Sequence, residues 1–129
     1  MDQEVLNKIP AFADLDAAEQ RAVATWANEA SVTEGSIIVN EGEYSYHFFA
    51  IIDGSAEVIT GSEKIADLGP GDFFGEIGVM EREKRGATVR ATSPLRLLTL
   101  TSWDIRRLER DAPVAMSKVH AVLEERRGS

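Results

Sequence analysis

No cysteine occurs among the 129 residues, which removes disulfide staples, thiolate nucleophiles and cysteine-ligated metal. That absence identifies no compartment. Histidine is nearly as scarce: His47 and His120 stand far apart, outside any clustered His-x-His-and-Glu arrangement, so no metal site is expected. No apolar run approaches the roughly 18 residues of a membrane span. The opening Met1-Asp2-Gln3-Glu4 is acidic and no apolar h-region follows, unlike a secretory leader, so a cytoplasmic location is expected. Basic residues are outnumbered, with 14 Lys and Arg against 22 Asp and Glu and a net charge of −8. A chain of that sign does not neutralise a phosphate backbone, so nucleic acid is not an expected partner.

What is present fits one domain spanning residues 1–129, with an ordinary apolar share of 43%. The charge is uneven. Residues 1–76 carry 15 acidic and 3 basic side chains, whereas residues 77–129 carry 7 acidic and 11 basic, a distribution suited to an anionic ligand or partner in the second half. Glu4 to Ile9 forms a short helical lead that Pro10 stops. A helix is expected from Asp14 to Asn28. Asp16 and Glu19 have the spacing of a capping box, and Leu15, Ala18, Ala22, Val23, Trp26 and Ala27 form a stripe of helical period.

From residue 30 the pattern changes to short β-like pieces: Val32 to Glu34, Ile37 to Asn40, Phe48 to Ile52, Ala56 to Thr60, Lys64 to Leu68, Thr88 to Ala91 and Leu97 to Thr101. Glycine pairs punctuate them, and Asp53-Gly54 and Gly61-Ser62 have hairpin chemistry. Many short strands with frequent glycine turns imply a sandwich or jelly-roll barrel. Thr101 or Ser102 then caps a helix through about Arg110. Pro113 opens another, with Ala115, Met116, Val119, Val122 and Leu123 as its apolar stripe. Asp104, Arg106, Arg107 and Arg110 form a charged helix face.

The stretch from Phe73 to Ala91 carries the chemistry. The turn Gly69-Pro70-Gly71-Asp72 delivers the chain to Gly75, where backbone can approach a ligand without a Cβ in the way. The apolar residues Ile77 to Met80 suffice for about one helical turn, whose first amides would attract an anion. Arg85 adds a planar fork of donors matched to phosphate oxygens. Glu76 would repel a phosphate, so its place beside these donors requires a neutral group on the same ligand, such as a sugar hydroxyl. Phosphate and ribose together describe a nucleotide. Gly69, Gly71 and Gly75 do not make a dinucleotide fingerprint, because the third glycine falls one place late and no long crossover helix follows. No serine has nucleophile-elbow context and no carboxylate pair is recognisable, so no catalytic residue is assigned and the chain is not expected to be an enzyme.

Phe74-Gly75-Glu76-Ile77, Arg85 nine residues beyond Glu76, and Gly86-Ala87-Thr88-Val89 together resemble the phosphate-binding cassette of cyclic nucleotide-binding domains. That family includes protein kinase A regulatory subunits and the catabolite activator protein. Its pattern is close to Phe-Gly-Glu-Leu/Ile, a variable loop, then Arg-x-Ala-Thr-Val. The resemblance extends over about residues 9 to 127, through Ile9-Pro10-Ala11-Phe12, Glu34 to Ile38, Glu41-Gly42 and Ile51 to Val58.

The resemblance implies an antiparallel eight-stranded β-roll with an N-terminal helix, a short cassette helix and two C-terminal helices. It implies that Glu76 accepts from a ribose hydroxyl, that Arg85 pairs with the cyclic phosphate, and that the amides of Gly78 and Gly86 face that phosphate. Phe74, Gly75, Ile77, Ala87 and Thr88 complete the implied ligand-binding set. The ligand is cyclic AMP, with cyclic GMP the alternative, because Gly86 stands where members preferring cyclic GMP often carry a hydroxyl. Phosphate capture would repack Val79 and Met80 against Trp103, Ile105 and Leu108 and swing the C-terminal helix over the base, passing a signal to an unidentified effector protein. Lys84 replaces the proline that often precedes the arginine, and Glu81-Arg82-Glu83 adds charge to the loop. The alternative is therefore a scaffold of the same fold that has lost nucleotide binding and acts through protein contacts.

Overall fold

The computed structural model describes residues 1–42, 47–75 and 87–127, the side chains of 122–127 excepted. A 3-10 helix, Gln3–Lys8, is followed by α1 (Pro10–Ala13) and α2 (Ala17–Trp26). Eight strands come next: β1 (Asn28–Val32), β2 (Ile37–Val39), β3 (His47–Asp53), β4 (Ala56–Thr60), β5 (Glu63–Leu68), β6 (Phe73–Phe74), β7 (Thr88–Ala91) and β8 (Leu95–Thr101). Helices α3 (Ser102–Asp111) and α4 (Pro113–Arg127) follow them. The strands form two antiparallel four-stranded sheets, ordered β1-β8-β3-β6 and β2-β7-β4-β5, which is the expected β-roll with flanking helices.

Strand alternation divides the core in two. Phe48, Ala50 and Ile52 of β3 face outward and bury themselves under the helices, together with Phe12, Val23, Leu98, Leu100 and Leu108. Ile51, between them, turns inward to Val39, Phe74, Val89, Leu95 and Leu97 between the two sheets. One sheet therefore separates a helical layer from the interior of the roll.

Several boundaries differ from the sequence expectation. Pro10 does not merely stop the lead helix. It occupies the first position of α1, where its missing N–H costs nothing. The helix expected from Asp14 begins only at Ala17, because Asp16 is its N-cap and accepts from the Glu19 amide at 2.8 Å. It ends at Trp26, and Asn28 already belongs to β1, which lies N-terminal to the strand expected at Val32 to Glu34. Asn28 and Glu29 are exposed, so apolar periodicity does not mark this edge strand.

Gly61-Ser62 does join a hairpin, β4 to β5. Asp53-Gly54 does not: β3 pairs with β6 and β8, while β4 belongs to the other sheet, so this turn carries the chain between sheets. Gly54 has φ +100°, and a Cβ there would lie 2.3 Å from the Pro94 carbonyl oxygen.

After β8, Thr101 and Asp104 form a reciprocal capping box. Thr101 Oγ1 accepts from the Asp104 amide at 3.2 Å, and Asp104 accepts from the Thr101 amide at 2.9 Å. Asp104 is thus a buried cap and not part of an exposed charged face. Trp26 is partly buried, with the Arg107 guanidinium 4.4 Å from its ring centre.

Candidate functional site

The two described ends of the Phe73 to Ala91 stretch lie in different sheets. The turn before it is tightly specified. Asp72 accepts from the Gly69 amide at 2.8 Å, while Gly71 donates to Ile51 at 2.8 Å and Ile51 donates to Asp72 at 2.9 Å. Gly71 has φ +91°, and a Cβ there would lie 2.8 Å from Pro10 Cδ, so α1 packs directly on this turn.

This geometry presents Phe73 and Phe74 as β6, on the edge of the first sheet. Successive side chains of a strand face opposite ways. Phe73 enters the helical layer, with ring centres 5.7 Å from Phe12 and 5.3 Å from Phe48. Phe74 enters the roll and stacks on Phe49 at 4.9 Å. Gly75 follows at φ +84°, a left-handed conformation that favours glycine.

The far end of the stretch is equally fixed. Ala87 leads into β7, an inner strand of the second sheet held between β2 and β4. Thr88 stands opposite Ile59, and Val89 is buried opposite Val58 and Val39. The Thr88 hydroxyl accepts from the Glu41 amide at 3.0 Å, and the Glu41 carboxylate accepts from the Gly61 amide at 2.9 Å. Glu41 thereby ties the loop after β2 both to the strand leaving the cassette and to the β4–β5 turn. Sequence reasoning marked Glu41-Gly42 as a turn and as part of the resemblance, but assigned its carboxylate no role.

Between these ends the inner wall is apolar. Val39, Phe74 and Val89 are buried, and Ile38, Phe49, Val58 and Leu68 are partly buried against them. An apolar lining of that kind suits a flat base or a sugar ring, with orientation left to a few polar groups. Of the expected site residues, Phe74, Gly75, Ala87 and Thr88 are placed at the two ends. Glu76, Ile77, Gly78, Arg85 and Gly86 lie outside the described residues, as do Val79 and Met80 and the expected cassette helix.

The residues expected to receive the signal are divided. Ile105 and Leu108 are buried under the helical layer, but Trp103 is 66% exposed, with the Arg106 guanidinium 5.3 Å from its ring centre. His47 opens β3 beside Phe49, and His120 is on the exposed side of α4. Among the described residues no group of three or more His, Asp or Glu side chains is placed to hold a metal ion, and no helix is long and apolar enough to cross a membrane. Among the described residues, the carboxyl groups held below their ordinary value stand beside surface cations: Asp14 beside Lys118, Asp53 beside Lys8 and then Arg96, and Asp111 beside Arg110.

Known proteins share this fold. The family model described as a cyclic nucleotide-binding domain matches residues 29–111. A putative potassium channel protein of Rhodopseudomonas palustris is 32% identical over 127 residues, covering 96% of this chain and 31% of its own length. A cAMP-dependent protein kinase regulatory subunit of Schizosaccharomyces pombe is 31% identical over 107 residues, covering 82% of this chain and 26% of its own length. Among solved structures, cAMP-bound PfPKA-R superposes with a TM-score of 0.82 at 28% identity, covering 95% of this chain and 43% of that one. The chain thus spans about a third or less of the curated relatives' length. Its fold and the family match agree: the chain belongs to the cyclic nucleotide-binding domain family.

Proposed function

We propose that the chain is a sensor that binds cyclic AMP at residues 73–91 and passes the signal through its C-terminal helices to an effector protein. The observation that carries this reading is the crossing from Gly75 to Thr88. Its described ends are a left-handed glycine after a strand of one sheet and a hydroxyl bonded to the Glu41 amide on a strand of the other, and the residues buried between those sheets are apolar. The intervening sequence supplies a carboxylate at Glu76 and a guanidinium at Arg85. In this reading Arg85 and the amides of Gly78 and Gly86 take the cyclic phosphate, Glu76 takes the ribose hydroxyl, Phe74, Ile77 and Ala87 shape the surrounding wall, and Thr88 holds the start of β7 through its bond to the Glu41 amide. The ligand is bound and released without chemical change, so the role requires no catalytic residue and no cofactor.

The wider assignments belong to the same proposal: one domain over residues 1–129, a cytoplasmic location and no contact with nucleic acid. The relatives named as a kinase regulatory subunit and a potassium channel support an effector that is another protein or another part of a longer one.

The test is Arg85→Ala, titrated with cyclic AMP by calorimetry. A charge-assisted bond to a desolvated phosphate contributes roughly 1.5–3 kcal/mol, so affinity should fall at least about tenfold. Wild-type affinity in that variant would sink the assignment. A second reading, a scaffold acting through protein contacts alone, draws on the charged Glu81-Arg82-Glu83-Lys84 loop. Thermal melting separates the two, because a ligand at about a hundred times its Kd adds roughly 2.7 kcal/mol to stability. Unchanged melting with every cyclic nucleotide would favour the scaffold.

A further inference from the structure

Helix α4 begins without a cap of its own. Ala112 precedes it and has no side-chain acceptor, and Pro113 has no N–H, so the amides of Val114 and Ala115 are the first that need a partner. That partner comes from 95 residues away. Glu19 of α2, only 9% exposed, accepts from the Val114 amide at 2.9 Å and from the Ala115 amide at 3.1 Å through one carboxylate oxygen. The spacing of Asp16 and Glu19 suggested a local capping box. Only half of it forms locally, because the Glu19 carboxylate serves a different helix, where its negative charge meets the positive end of the α4 dipole.

Packing repeats the same connection. Ala112, Ala115, Met116 and Val119 recur at helical spacing, are 0, 0, 3 and 1% exposed, and share one core with Phe12 and Val23 of the N-terminal helices and with Phe48 of β3. Lys118 also pairs with Asp14, just after α1, although that pair is largely exposed and contributes little. Separating the start of α4 from α2 would strand a buried carboxylate, the buried Ala115 amide and the partly buried Val114 amide, and would open the core as well.

We propose that Glu19 is an anchor that makes α2 and residues 113–119 of α4 one rigid body, so that movement of α4 relative to α2 occurs beyond Val119 and not at the α3–α4 junction. That a ligand drives such movement rests on the function proposed above. The anchor does not.

Native-state amide hydrogen exchange across a denaturant series tests it, first without ligand. The Val114 and Ala115 amides should exchange only through global unfolding, with the same denaturant dependence as Leu98 and Leu100. Glu19→Ala should open a local route that speeds Val114 and Ala115 at least about 100-fold beyond the change at Leu98 and Leu100. Glu19→Gln, which keeps an acceptor oxygen, should recover most of the protection. Local exchange of these two amides in the wild type, or no selective effect of Glu19→Ala, would overturn the proposal. With cyclic AMP at saturation, the two amides should stay protected, and their selective loss of protection would also overturn it. Failure to bind cyclic AMP at all would instead count against the proposed function, while the unliganded comparison would still decide the anchor.

Discussion

Phe73 and Phe74 are adjacent and both buried, yet they face opposite sides of β6, so a leucine at each position separates folding from binding. Among the described residues, Phe73 makes two ring contacts, with Phe12 and Phe48, whereas Phe74 makes one, with Phe49. An aromatic pair is worth about 0.5–1.5 kcal/mol beyond its buried area. The two substitutions lose the same side-chain volume, so the pair contribution sets the difference. Phe73→Leu should lose about 1–3 kcal/mol of ring contacts, and Phe74→Leu about 0.5–1.5 kcal/mol. Urea unfolding at constant m-value measures this.

Binding should rank the other way. Phe73 lies in the helical layer, away from the inner wall, and its leucine variant should keep cyclic AMP affinity within about twofold. Phe74 is part of that wall and directly precedes Gly75. Its leucine variant should lose about 1 kcal/mol of binding, roughly fivefold in Kd. A greater stability loss in Phe74→Leu, or weaker binding in Phe73→Leu than in Phe74→Leu, would refute the two-sided assignment.

Two further outcomes follow from single residues. Gly54→Ala should destabilise the chain by at least about 2 kcal/mol, through strain at positive φ and a clash with the Pro94 carbonyl. Gly35→Ala, which has φ +87° but meets nothing within 4 Å, should cost about 1 kcal/mol, and equal melting temperatures for the two would show the clash to be irrelevant. Acid should weaken the fold through Asp14, Asp53 and Asp111, whose folded-state pKa values lie below the ordinary 3.8. Between those depressed values and 3.8 the unfolded chain holds more protons, so this stability is present above about pH 4 and is lost as pH falls. Asp53→Asn should flatten the acid limb of a urea-midpoint curve, and an unchanged limb would contradict the contribution assigned to its pairing with Lys8 and Arg96.

The sequence made the local features legible where local chemistry decides them. Gly61-Ser62 makes its hairpin and Thr101 caps α3 because each needs only its neighbours. Asp53-Gly54 has the same turn chemistry, but its outcome depends on Pro94, distant in sequence, and on which sheet receives β4. The N-terminal part of β1 escaped notice because Asn28 and Glu29 are exposed and show no apolar alternation. β6 escaped because two residues are too short to display a period. Glu19 was legible as a helix-start residue, but its partners are amides some 95 positions away. The signal that could have found them was an uncapped start, alanine before proline at 112–113, awaiting an acceptor from elsewhere. For the site, sequence supplied the residue types from Glu76 to Arg85, and the fold supplied the two ends and the apolar wall.

The central claim is that this domain senses a cyclic nucleotide, and one calorimetric experiment tests it most directly: titration of the chain with cyclic AMP and, separately, with cyclic GMP. The prediction is saturable binding of one nucleotide per chain, tighter for cyclic AMP. Absence of binding to either at about 1 mM, weaker than roughly 4 kcal/mol of affinity, would contradict it.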